Sequence, residues 1–171
     1  MPNRGKLVIL AIIALACAAT AGALFVHRER ARRPLEFWGS PTTLLIARAP
    51  MVEVLRLRSA ERPSDAALPG FTIDGDRWIV EKRQRCDGGR GLSNIRRALL
   101  EDGSFDWNEP AASFSPEWRH GLGFIDGDNR VTLLFSLDCP RSIVTDRAET
   151  ISIRPFAPSL AGFLNEQFSQ D

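Results

Sequence analysis

The chain has 171 residues and a mass of 19.0 kDa, with 22 basic and 21 acidic side chains and a net charge of +1. That length suits one domain with at most an appendage. A composition of 44% hydrophobic and 25% charged residues excludes a disordered or collagenous chain. The small net charge hides a division. Residues 1–33 hold six bases (Arg4, Lys6, Arg28, Arg30, Arg32, Arg33) against Glu29, a net of +5; residues 34–171 hold the other 16 bases and 20 acids, a net of −4. A basic head is thus joined to a mildly acidic body, and no nucleic-acid partner is expected.

In chain order, a basic tail (1–6) precedes the uncharged run Leu7–Val26, LVILAIIALACAATAGALFV. Twenty residues of helix at 1.5 Å each span about 30 Å, the hydrocarbon thickness of a bilayer. The run has no polar stripe at the helical period, so it reads as a single transmembrane anchor. Two alternatives stand beside it. Ala21-Gly22-Ala23 has the small-x-small form of a signal-peptidase site, although the run exceeds a signal core. Cys17 could be an acylated lipoprotein cysteine, but its flank Ala14-Leu15-Ala16 fits that pattern poorly. Lys and Arg counts on the two flanks do not fix orientation. A short basic head before an apolar run is the usual export signal, so the expectation is an inner-membrane, single-pass protein with its C-terminal domain in the periplasm. Arg28, Arg30, Arg32 and Arg33 would meet lipid headgroups, and Trp38, twelve residues past the span, would anchor at the interface.

Residues 27–50 read as a basic juxtamembrane linker plus a short helix. Pro34 ends the basic stretch, Ser40-Pro41 starts a helix to Arg48, and Pro50 stops it. Residues 51–171 read as the extracytoplasmic α+β domain. Val52–Leu57 is a strand and 59–70 a loop. Two hairpins follow, Phe71–Val80 across Asp74-Gly75-Asp76 and Trp118–Leu137 across Asp126-Gly127-Asp128-Asn129, because Asp-Gly takes positive φ readily. Trp118, His120, Leu122 and Phe124 would share one face, as would Val131, Leu133, Phe135 and Leu137. Ile143–Thr145 and Ile151–Ile153 suggest a third hairpin. Ser93 would cap a helix to Leu100 that buries Ile95, Ala98 and Leu99. A last helix, Pro158–Phe168, presents Leu160, Phe163, Leu164 and Phe168 to the core. The sum is one transmembrane helix and a small antiparallel sheet of five to seven strands with two or three short helices.

Cys86 and Cys139 each close the second strand of a hairpin, and in an exported domain they would form a disulfide. No chemistry assembles around them. His120 sits mid-strand, away from a nucleophile pattern, and no C-x-x-C supplies a zinc site. The two Asp-Gly loops lack the calcium-loop ligands, and Cys86–Gly91 lacks a phosphate-binding register. No catalytic, cofactor or metal residue is therefore expected. Lys82, Arg83, Arg85, Arg90, Arg96 and Arg97 form one basic cluster, a candidate anion or partner contact.

Three segments carry a likeness: Gly91–Trp107 (GLSNIRRALLEDGSFDW), Trp118–Phe124 (WRHGLGF) and Val131–Cys139 (VTLLFSLDC). Over about half of the body the chain resembles small exported proteins of Gram-negative bacteria without an established activity. The resemblance implies membership of such a group and carries over no functional residue. The expected function is a non-enzymatic, single-pass accessory protein with membrane lipid and other membrane-complex subunits as partners. The alternative is a soluble periplasmic binding or inhibitor domain released by cleavage near Ala23. A hydrolase built on scattered acids is weaker, because no spacing selects a pair.

Overall fold

A computed structural model of the chain describes residues 4–86, 91–110, 115–147 and 149–169, and, within the first helix, the side chains of residues 9, 12–23 and 32–38. The uncharged run forms helix α1, Arg4–Trp38, which continues without a break through the basic segment. At 1.5 Å per residue it is about 52 Å long. The expected span at 7–26 lies partly outside the described side chains; among the described residues, no helix is long and apolar enough to cross a membrane. Pro34 does not end the stretch as expected, but sits buried inside α1. A proline there removes one backbone donor, a local loss that packing against the domain offsets.

Gly39, at φ 75°, breaks the path, and α2 (Ser40–Arg48) follows at once with Pro41 in its first turn. Ser40 makes no side-chain cap; the N-cap is Gly39. Residues 27–50 thus hold the expected short helix as α2. Their first part is α1, and α2 buries Thr42 and Ile46 in the domain.

The strands are β1 (Met51–Ser59), β2 (Gly70–Ile73), β3 (Asp76–Arg85), β4 (His120–Asp126), β5 (Asn129–Ser136), β6 (Arg141–Val144) and β7 (Thr150–Ser152). Two further helices, α3 (Leu92–Leu100) and α4 (Ala157–Phe168), and two 3-10 turns (Pro63–Ala67 and Asp102–Ser104) complete the domain. All strand pairs are antiparallel, in the order β2-β3-β1-β4-β5-β6-β7. The α+β class and the antiparallel sheet are thus as expected. Both Asp-Gly sequences make the tight turns their chemistry favours. Asp74 and Gly75 both take positive φ, 52° and 90°, between β2 and β3, and Gly127 takes 58° between β4 and β5. At α3 the cap is Gly91, in the left-handed region at φ 98°, and not Ser93.

Alternation along the strands gives the sheet two apolar faces. Val52 and Val54 of β1, Leu122 and Phe124 of β4, and Val131, Leu133 and Phe135 of β5 pack under α2, α3, α4 and the end of α1. On the other face the sheet curls, so that Ile73, Trp78 and Leu57 of β1–β3 meet Leu134 and Ile143 of β5 and β6. Trp118 belongs to this second core, not to the face of Leu122 and Phe124, because β4 begins only at His120 and the chain before it is not strand. A bulge in the β1–β3 ladder sets Glu81 as an extra residue between Val80, paired with Leu57, and Lys82, paired with Arg56. It lets β3 point Trp78 and Val80 into the second core and then Lys82 toward the helices.

Candidate functional site

Two features stand apart from ordinary packing: the joint where α1 enters the domain, and a charged cleft at the opposite end of β1. At the joint, helix C-termini supply carbonyls without helical partners, and three side chains meet them. Trp38 Nε1 donates to the Leu99 carbonyl at the end of α3, 2.7 Å away. Arg96 donates to the Ile46 and Ala49 carbonyls at the end of α2, at 2.9 and 2.5 Å. Arg147 donates to the Phe37 carbonyl at the end of α1. Phe37, Trp38, Phe105 and Trp107 surround these contacts with ring centroids 4.7 to 6.2 Å apart in edge-on and tilted arrangements. Trp38 has no exposed surface. It is the core residue that fixes α1 to the domain, not an interface anchor, because the helix carries it past the basic segment and into the aromatic cluster.

The expected site residues are otherwise dispersed. Arg28 and Arg30 lie outside the described side chains. Arg32 pairs with Glu36 one turn on, at 2.8 Å with both groups exposed, and Arg33 is exposed. The described members of the basic cluster meet different groups. The Lys82 ammonium lies 5.8 Å from the Phe168 ring, while Arg83, on the other face of the same strand, lies 3.7 Å from Glu53. Arg85 also lies on β3, Arg96 is spent on α2, Arg97 reaches only Asn94 at 3.5 Å, and Arg90 falls outside the described residues.

The expected disulfide is not formed; Cys86 is a buried thiol and Cys139 a partly exposed one. The topology explains this. β3 and β5 are separated by β1 and β4, and three antiparallel steps leave them running in opposite directions. Their C-terminal ends, each followed by a cysteine, therefore lie at opposite ends of the sheet. Cys86 N donates to the Val52 carbonyl at 2.7 Å, Val52 registers with Phe124, and Phe124 with Val131. Cys139 follows Ser136, the last residue of β5, so about 17 Å of strand separates the two levels, far beyond the reach of a disulfide.

The cleft opens because β1 pairs with β4 only as far as Arg56, yet with β3 as far as Ser59. Beyond Arg56 the non-strand segment 115–119 takes β4's place, held by Leu57 N donating to the Arg119 carbonyl at 2.8 Å. The resulting cavity is about 660 Å³, with Trp78 and Leu57 among its apolar lining. One charged group in it is fixed internally: Arg58 makes a bidentate pair with the buried Asp65, at 2.9 and 3.0 Å. That pair, with the backbone N–H groups of Arg62 and Glu61, holds the Asp65 carboxyl well below the usual carboxylate range. His120, opposite Arg56 across the β1–β4 ladder, is pushed below its ordinary value of 6.5 by burial and by the Arg56 and Arg119 charges, so it is neutral at pH 7. Nothing in the sequence marked this cleft, since its residues come from β1, β3, the start of β4 and two loops. Comparison of the chain with protein-family models, curated proteins and solved structures gives no match.

Proposed function

We propose that this chain is a non-enzymatic, single-pass, membrane-anchored accessory protein. In this reading α1 crosses the inner membrane over residues 7–26. It holds the α+β domain in the periplasm, where the domain docks as a small subunit on a larger membrane complex. One observation carries the reading: α1 is a single helix from the uncharged run into the Trp38 joint. Its described apolar side chains Ile9, Ile12, Ile13 and Leu15 are 57% to 72% exposed. Such a bare apolar surface calls for a cover, and its length matches a bilayer. From Val26 to Trp38 the helix rises about 18 Å, so the domain would stand just beyond the headgroups on a stiff stalk that carries the basic residues.

The test uses the native thiols. Cys139 is partly exposed and Cys86 is buried. A membrane-impermeant maleimide should label Cys139 in intact spheroplasts, and the full-mass protein should stay in the pellet after alkaline carbonate extraction. Labelling only after lysis would overturn the periplasmic placement. A mature N-terminus near Ala23, with the protein released, would favour the soluble binding domain. Blue-native gels of mild-detergent extracts should show the chain in an assembly larger than itself; migration solely as a monomer would count against the subunit role.

A further inference from the structure

The two edge strands of the sheet, β2 and β7, differ in what covers them. The outer side of β7 is met by Asp106, whose N–H donates to the Ser152 carbonyl at 3.1 Å as an isolated antiparallel bridge. The outer side of β2 is open. The two-residue turn at Asp74-Gly75 makes Ile73 and Asp76 a hydrogen-bonded pair, and in an antiparallel ladder such pairs recur at every second residue. Phe71 with Trp78 is the next, and Pro69 with Val80 the one after, where Val80 N donates to the Pro69 carbonyl at 2.9 Å. Gly70 and Thr72 lie between these pairs, so their N–H and C=O groups point away from β3. Among the described residues nothing bonds to those four groups. An unpaired strand edge is a template for another strand, and no charged side chain lies along Gly70–Ile73 to obstruct one.

That edge opens on a cavity of about 370 Å³. Gly70, Phe71 and Thr72 form one wall; Arg130 and Thr132 of β5, with Thr145 and Asp146 just after β6, form the other. The two charges of the cavity differ in state. Arg130 donates to Glu53 at 2.7 Å, whereas Asp146 is exposed and, among the described residues, in no ion pair. Phe71 is half-buried against the second core and leaves apolar surface for a residue placed opposite it. Gly70 and Thr72 stand about 6.8 Å apart along the strand, so three residues of an extended partner satisfy all four groups. Alternating donors and acceptors at that spacing match a peptide backbone, and the Asp146 carboxylate favours a basic side chain over an acidic one.

We propose that β2 is a docking edge for an extended segment of another protein, which adds to the sheet as a further strand and sets a basic side chain against Asp146. The site rests on the sheet alone and is independent of the membrane reading. The probe is a fluorescein-labelled, C-terminally amidated peptide, Lys-Thr-Val-Thr-Val, titrated by anisotropy into the full-length protein in detergent micelles. Binding should saturate, and amide exchange followed by NMR should slow at Gly70 and Thr72. The same peptide with Glu in place of Lys should bind about fivefold more weakly. Asp146→Asn, at an exposed position, should remove that difference. Thr72→Pro deletes an outward N–H and leaves the β2–β3 bonds in place, a position where an edge strand tolerates proline. It should melt like the parent protein and weaken binding by about tenfold or more. No saturable binding at millimolar peptide, protection that falls elsewhere than β2, or undiminished binding by Thr72→Pro would overturn the proposal. So would concentration-dependent self-association in sedimentation that Thr72→Pro abolishes, which would give the edge to a second copy of this chain.

Discussion

The Trp38 indole has no exposed surface and donates its one N–H to the Leu99 carbonyl, so two separate terms meet in a single side chain. Trp38→Phe keeps most of the apolar volume and strands a buried acceptor, which should cost about 1 to 3 kcal/mol. Trp38→Ala adds the cavity and should cost about 3 to 5 kcal/mol. Urea denaturation followed by the remaining tryptophans reads both. Asp65 is a second residue whose role can be isolated. Because Arg58 and two backbone N–H groups favour its ionised form, its folded pKa is depressed below 3.8, and the stabilisation is present in full above the unfolded value. It is lost as pH falls toward the folded one. Asp65→Asn should therefore lower the urea midpoint at pH 7, with the gap from the parent narrowing below about pH 4. A gap that stays constant down to pH 2.5 would mean that the ion pair is not its source.

Among the elements, the helices depend on residues that follow from geometry more than from propensity. Gly91 caps α3 at φ 98°, and a Cβ there would lie 3.3 Å from Phe163 Cδ2. Gly91→Ala should destabilise by roughly 1 to 2 kcal/mol, the cost of a left-handed residue with a side chain, measurable as a lower Tm. Arg96→Met keeps the stem and removes both bonds to the end of α2, at a cost of about 1.5 to 3 kcal/mol for bonds from a charged donor. Gly91 was legible only as part of a glycine-rich loop, because Ser93 offers the more conventional cap. The hairpin turns were legible outright, since Asp74-Gly75 and Asp126-Gly127 state their own backbone conformation. The length of β3 was not. Glu81 to Arg85 has no apolar alternation, and it is strand because β1 supplies a partner ladder on one side.

For the whole molecule, the joint makes α1 part of the domain from about Pro34 onward. Deleting residues 1–26 should leave cooperative unfolding of the domain nearly unchanged. Deleting through Trp38 should lower its midpoint by at least the effect of Trp38→Ala, because Phe37 is lost as well. Circular dichroism melts of the two truncated proteins separate these outcomes. Thiol counting under non-reducing, denaturing conditions should recover Cys86 and Cys139 unlinked; a peptide pair joining them would contradict the strand directions described above. By itself the sequence determined the α+β class, the hairpin turns and the inward faces of α3, α4 and β5, because periodicity and turn chemistry are local properties. Only the tertiary structure decided that β1 inserts between β3 and β4. That one insertion separates the cysteines, scatters the basic residues over both faces and opens the charged cleft where β4 falls short of β1. Strand order depends on contacts between residues far apart in the chain, and no local pattern records it.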